Sequence, residues 1–333
     1  MKKRKYELNS ETVKWLLEED NLSVRFFTLT NLLEKPLTSP DVIATQKEIM
    51  TEGVVPKILA SQNEGGYWGI HRDFYLRCKY NGTVWNIILL SQLGVKSDDP
   101  KIRRAVEFIL AHSQDPIEGG FSVSEQPGGG GNPASVIPCL TGNMLWSSMK
   151  FGLLDDPRVQ KGIDWINTYQ RFDDGDTNPP KKVVYRHNNC WGKHTCMMGV
   201  VKNLKALAEI PKVNRTKATK QTIERGAEFL LMHRLYKHSH DASQVAKKQW
   251  MQFGFPLMWN TDALEMLDTL TKLGYHDARM QDAVDLLLSK QDTQGRWHLE
   301  NTYNGRSIVR IENLGKPSKW VTLRALTVLK RCG

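Results

Sequence analysis

Gln62-Asn-Glu-Gly-Gly66-Tyr-Trp68 and Gln291-Asp-Thr-Gln-Gly295-Arg-Trp297 share one spacing, Gln-x-x-x-Gly-x-Trp, and each closes a stretch of helical periodicity. Looser copies stand between them, in Gln114-Asp-Pro-Ile-Glu-Gly-Gly120-Phe121 and Gln170-Arg-Phe-Asp-Asp-Gly175-Asp176, so the unit returns roughly every 50 to 60 residues. A period of this length calls for a helix pair or a sheet blade that stacks on copies of itself. That restricts the fold more than any single residue does.

Between the signatures, apolar residues recur every three or four positions, which selects helices. Residues 83–94 are mostly apolar all round, as in a helix enclosed by others, whereas 100–113 are amphipathic with Pro100 at the start. Each unit therefore holds an inner and an outer helix. The inner set is predicted at 23–34, 83–94, 140–151, 194–208, 260–273 and 319–331, and the outer set at 39–61, 100–113, 156–169, 216–233 and 276–290. Residues 11–19 supply the outer partner of the last inner helix from the other end of the chain. Six of each close a ring with no open end, so the prediction is one all-α domain over residues 1–333. In each turn Gln is expected to cap the helix just ended, Gly to allow the reversal, and Trp to cover the junction.

With 333 residues, 40% hydrophobic and 25% charged, the chain has the composition of a globular protein with a sizeable core. Its net charge of +10 favours anionic partners. The basic residues are spread along the whole length and match no base-reading motif, so nucleic acid is not an expected partner. Five cysteines, an odd and sparse set, suggest a reduced, cytoplasmic setting rather than a disulfide framework. No segment is long and apolar enough to span a membrane, which leaves peripheral contact as the membrane option.

The Gln-x-x-x-Gly-x-Trp signature resembles that of squalene and oxidosqualene cyclases, and a twelve-helix ring is similar to the (α/α)6 toroid these share with protein prenyltransferase β subunits. Stretches such as Pro138-Cys-Leu-Thr-Gly-Asn-Met-Leu-Trp146, Phe253-Gly-Phe-Pro-Leu-Met-Trp259 and Gly315-Lys-Pro-Ser-Lys-Trp320 look like a family of prokaryotic single-toroid proteins termed terpene cyclase/mutase-like. The resemblance covers nearly the whole chain. It implies a toroid whose lumen takes an isoprenoid or similar apolar or anionic ligand, with no settled reaction. A non-catalytic lipid- or peptide-binding toroid and a carbohydrate-active toroid, with Glu312 and Asp262 as its carboxylate pair, are the alternatives.

Three groups of residues carry candidate chemistry. Prenyltransferase β subunits carry an aromatic-His-Thr-Cys segment whose His is a zinc ligand, and the resemblance of Arg186-His187-Asn-Asn-Cys190-Trp-Gly-Lys-His194-Thr-Cys196 to it at His194-Thr-Cys196 implies that role for His194 alone. Cys190, His194 and Cys196 together offer a three-ligand zinc site with an open fourth position, or alternatively a metal-free rim or a reactive thiol. The enzymes it resembles also use an Asp-x-Cys pair, which this sequence lacks. Asp173, Asp174 and Asp176 have the composition of a class II cyclase proton donor in a displaced order, Asp-Asp-Gly-Asp, and are expected on an exposed outer turn. Tyr80, Asn81, Trp259, Asp262, Lys319 and Trp320 fall at inner-helix starts, where helix N-termini with Lys319 and Arg25 make a mouth for an anionic group. The loop Ser122-Val-Ser-Glu-Gln-Pro-Gly-Gly-Gly-Gly-Asn-Pro is either a cover for that mouth or a plain connection.

Overall fold

Asp-Pro pairs start two outer helices in the same way. Asp99 caps the amides of Lys101 and Ile102, Asp156 caps that of Arg158, and the proline after each occupies the first helical turn. The structure, a computed structural model, describes residues 8–175 and 188–333. Among these the regular structure is helical, with isolated bridges and no strand.

The inner helices are α2 (Leu22–Phe27, continued by a π-helical turn over Thr28–Leu32), α5 (Thr83–Leu90), α7 (Pro138–Lys150), α10 (Met197–Leu207), α12 (Ala263–Leu273) and α14 (Lys319–Cys332). Their outer partners are α3 (Pro40–Thr51) with α4 (Val55–Ala60), then α6 (Pro100–His112), α8 (Pro157–Tyr169), α11 (Lys217–Met232), α13 (Gln281–Ser289) and α1 (Ser10–Leu16). A short helix α9 (Asn188–Trp191) precedes α10. The predicted outer helix 39–61 is thus two helices, broken at Gly53, whose φ of 76° a helix interior does not allow.

Inner helices pack in sequence, α5 on α7, α7 on α10, α10 on α12, α12 on α14, and α14 on α2. Between α2 and α5, Ser23 Oγ donates to the carbonyl of Leu93 at 2.8 Å. The ring is closed. Helix α7, buried from Pro138 to Met149, comes nearest to α10 because Gly142 lies at the contact, where a Cβ would stand 2.4 Å from the Lys202 carbonyl carbon. The N-terminal segment lies where closure requires it. Helix α1 rests on α14, Thr12 Oγ1 donates to the carbonyl of Gln294 at 3.0 Å, and Lys319 Nζ pairs with Glu18 at 2.7 Å and with Asp20. Buried apolar side chains from Leu16 to Leu329 form one contiguous core.

The signature turns act differently from the sequence expectation. Trp68 Nε1 donates to Ile58 O at 2.8 Å and Trp297 Nε1 to Leu287 O at 2.7 Å, so in both turns the indole caps the helix just ended. Gln62 instead reaches forward to Lys101 O at 2.9 Å, and Gln114 to Arg158 O at 2.7 Å, tying each turn to the next outer helix. A threonine completes the unit. The amides of Trp68, Phe121 and Trp297 donate to the hydroxyls of Thr83, Thr141 and Thr322 at 3.0, 2.9 and 3.0 Å, locking each turn to the following inner helix. Gly66 permits this at a φ of 86°, with the Arg104 carbonyl 2.6 Å from where a Cβ would be.

Candidate functional site

The central cavity, of about 150 Å³, is lined mainly by the C-terminal halves of the inner helices. This corrects the expectation of a mouth at their N-terminal ends. Its floor is aromatic: Trp320 stacks on Phe255 with centroids 4.1 Å apart and planes 7° from parallel, and Phe27 leans on the same indole at 6.0 Å. Trp146 forms a wall, with Lys205 Nζ 4.0 Å from its ring centroid.

Charge in the cavity is unbalanced. Lys150, Lys205, Lys272, Arg324 and Arg331 line it against Glu209 and Asp268, five cations to two anions, an excess of three. Glu209 accepts from Trp146 Nε1 at 2.9 Å and from Lys272, and Asp268 pairs with Arg331 at 2.7 Å. Burial works against the Glu209 carboxylate, yet Lys272 and Lys150 hold it below its ordinary range. Helix C-termini themselves attract cations, which accounts for Lys150 at the end of α7 and for Lys205 and Lys272 in the last turns of α10 and α12. They do not account for Arg324, near the middle of α14, which has no carboxylate within ion-pair distance among the described residues. Its Nη1 makes a long contact of 3.4 Å to Gly254 O. Two further lining residues, Trp320 and Thr269, each carry a buried polar atom, Nε1 and Oγ1, without a hydrogen-bond partner.

Behind this cavity lies a buried ion pair. Lys202 Nζ donates to both Glu265 oxygens, at 2.8 and 2.6 Å, with Lys205 3.1 Å away. Burial pushes the Glu265 carboxyl up, but the charges of Lys202, Lys205 and Arg324 outweigh it and bring it to about 2. Glu265 is therefore a fixed anion.

At the opposite end of the ring, the residues expected to line a mouth close on one another. Trp259 Nε1 donates to Tyr80 Oη at 2.9 Å, Tyr80 packs on Tyr303 at 4.1 Å, and the Arg306 guanidinium lies 4.7 Å over the Tyr80 ring. Asn81 is exposed, its carbonyl accepting from Asn86 Nδ2 at 2.7 Å. Asp262 is fully buried as the N-cap of α12, accepting from the amides of Glu265 at 2.7 Å and Gly254 at 3.0 Å; burial raises it to about 6. Glu312 likewise serves α14, taking the Lys319 amide at 2.8 Å and the Ser318 hydroxyl. The proposed carbohydrate pair is thus two helix caps. Lys319 is committed to Glu18 and Asp20, and Arg25 to Glu19 at 3.1 Å. Of this group, only Trp320 lines the cavity.

The rim segment also divides. The thiols of Cys190, Cys196 and, from α7, Cys139 act on one another; the neighbouring Cys139 thiol is the main cause that pushes Cys190 up to about 12. These thiols are neither activated nor joined by His194, whose side chain is 70% exposed and whose Nδ1 meets the Asp174 carbonyl oxygen at 3.0 Å. Cys190, His194 and Cys196 are therefore not brought together as a set of zinc donors. Asp173 and Asp174 sit on the turn after α8 but are half-buried, not exposed. Asp173 pairs with Arg171 through two bonds at 2.8 and 2.7 Å. Asp174 accepts from Ser239 Oγ and lies 3.4 Å from His233 Nε2. Asp176 and His187 lie outside the described residues.

The sequence reading missed Arg324, Thr269, Lys202 and Lys205. For Arg324, Lys202 and Lys205 the signal was available, as charged residues within inner helices otherwise built to be buried; Thr269, uncharged, carried none.

These contacts define a single-ring α/α toroid. No family model and no curated protein matches the chain. Among solved structures it is similar to a substituted form of the type II terpene cyclase MstE from Scytonema in complex with geranylgeranyl dihydroxybenzoate, at 13% identity and a TM-score of 0.33 over 86% of this chain and 96% of that one. A protein from Actinoplanes is similar at 12% identity and a TM-score of 0.34 over 86% and 99% of the two chains. The apo form of MstE stands at 13% identity and a TM-score of 0.31, over 86% and 96%. The toroid is defined by its own helix contacts. Among the described residues no helix is long and apolar enough to cross a membrane.

Proposed function

We propose that the lumen binds a small anionic amphiphile, a short isoprenoid phosphate or carboxylate, with its charged head toward Arg324 and the cationic rim and its apolar part on the aromatic floor. The observation that carries this reading is one cavity lined by Arg324, which has no ion-pair partner among the described residues and one long contact to Gly254 O, and by Trp320 and Thr269, whose Nε1 and Oγ1 are buried without a hydrogen-bond partner. A buried donor left unpaired costs roughly 1–3 kcal/mol, which a ligand oxygen recovers on binding. The cavity is open on one side and of about 150 Å³, close to one that holds benzene, which suits a five-carbon unit as the part held against the aromatic floor.

Binding is favoured over class II cyclisation by the state of the carboxylates. Proton-initiated cyclisation needs a carboxylic acid kept protonated above the substrate. Both lumen carboxylates, Glu209 and Asp268, are ion-paired, and Asp173 and Asp174 are engaged outside the lumen. The test is calorimetric titration with inorganic diphosphate and with a five-carbon prenyl diphosphate. We expect the prenyl compound to bind more tightly than diphosphate, and Arg324→Gln to weaken both at least tenfold. Equal binding by wild type and Arg324→Gln would remove the lumen as the site.

A further inference from the structure

We propose a metal site at the other end of the ring, formed by His71, His112 and Glu125, with a divalent transition metal, zinc by its donor set, as the ligand. The three side chains come from separate parts of the chain: His71 from the connection after the first signature turn, His112 from the last residue of α6, and Glu125 from the glycine-rich loop. One ligand atom from each lies within 4.8 Å of the other two. Among the described residues no other group of three histidine, cysteine or acidic side chains meets that condition. Tetrahedral zinc with bonds of about 2.0–2.2 Å holds its ligand atoms about 3.3–3.6 Å apart, a spacing within reach of side-chain rotation.

A plain histidine–glutamate hydrogen bond explains part of the arrangement. His112 Nδ1 and Glu125 Oε1 are 2.8 Å apart. It leaves two things over. Glu125 Oε2 is buried with no hydrogen-bond partner, and the His71 ring, 4.6 Å from that of His112, makes only aromatic contacts among the described residues, to Tyr67, Phe108 and His112. A metal ion satisfies both: it takes the spare carboxylate lone pair and a nitrogen from each imidazole, and leaves a fourth position for water. Two imidazoles and one carboxylate are borderline-to-hard donors, which suit zinc or another first-row divalent ion better than calcium or copper(I).

The surroundings are held ready for it. The glycine-rich loop turns back on itself, with Gln126 N donating to Gly130 O at 2.9 Å, and is pinned to the end of α6 by Gly130 N donating to Ala111 O at 3.1 Å and Gly131 N to Gln114 O at 2.7 Å. The ion would fasten this loop and the His71 connection to α6, at the end of the ring away from the lumen opening. It does not depend on the lumen reading.

The experiment is a titration of the full chain, stripped with chelator, with Zn²⁺ and separately Co²⁺. We compare wild type with His71→Phe, which keeps the aromatic packing, and Glu125→Gln, which keeps a hydrogen bond to His112. One equivalent should bind to wild type, and each substitution should weaken binding at least tenfold. The cobalt form should show tetrahedral d–d bands without a sulfur-to-cobalt charge-transfer band, and Cys190→Ser/Cys196→Ser should bind as wild type does. Melting temperature should rise with zinc in wild type and not in His71→Phe. Sub-stoichiometric binding, binding unchanged in both His71→Phe and Glu125→Gln, or a thiolate band lost in the cysteine variant would overturn the site.

Discussion

Glu265 and Lys202, both at most 2% exposed, form the most deeply buried ion pair among the described residues. Removing one charge of a buried pair strands the other, so Glu265→Gln should destabilise the fold by about 3–5 kcal/mol. Replacing both, as Lys202→Met with Glu265→Leu, should recover most of that; urea denaturation measures each. Acid should act on the same residue. Its folded value of about 2 lies below its ordinary 4.5, so its contribution, about 3 kcal/mol, is in place above pH 4.5 and lost as pH falls toward 2. Asp262, raised from 3.8 to about 6, acts in the opposite sense and adds stability as pH falls through 6. A stability–pH profile in which Glu265→Gln retains the wild-type acid limb would contradict this assignment. The sequence did not reveal the pair, because nothing in a helix periodicity says that Lys202 of α10 and Glu265 of α12, 63 residues apart, meet across the ring. The same limit applies to His194. Its neighbours in sequence suggested a metal, whereas its ring turns to the Asp174 backbone.

At the level of elements the repeat was largely legible, since a spacing that recurs with inner and outer helices leaves few other architectures. What it did not show was the division of labour within the turn. The threonine that receives the Trp or Phe amide lies 15 residues on at Thr83, 20 at Thr141 and 25 at Thr322, so no fixed motif joins them. Thr322→Val should therefore leave the buried Trp297 amide unpaired and cost about 1–3 kcal/mol, read from the shift in urea midpoint. A change near zero would mean that the turn is held by the indole alone. Trp297 was legible as a covering residue, but its cap on Leu287 depended on the turn's geometry.

For the whole molecule, closure was predictable by count and polarity was not. Aromatic and basic residues at inner-helix starts suggested an open mouth. Tyr303 and Arg306, from the connection before α14, instead fill that end against Tyr80. Their placement depends on a long-range approach that periodicity does not encode. Closure has its own test in Leu16, fully buried where α1 meets α14. Leu16→Ala should cost about 2–5 kcal/mol despite its place near the chain's beginning, whereas an open arc would lose little. A crystal structure grown with a five-carbon prenyl diphosphate tests whether the charged lumen is the binding site. We predict phosphate oxygens within hydrogen-bond distance of Arg324 and the Trp320 indole, and the prenyl group against Phe255 and Phe27. Ligand density at any other place with the lumen filled only by water would contradict it.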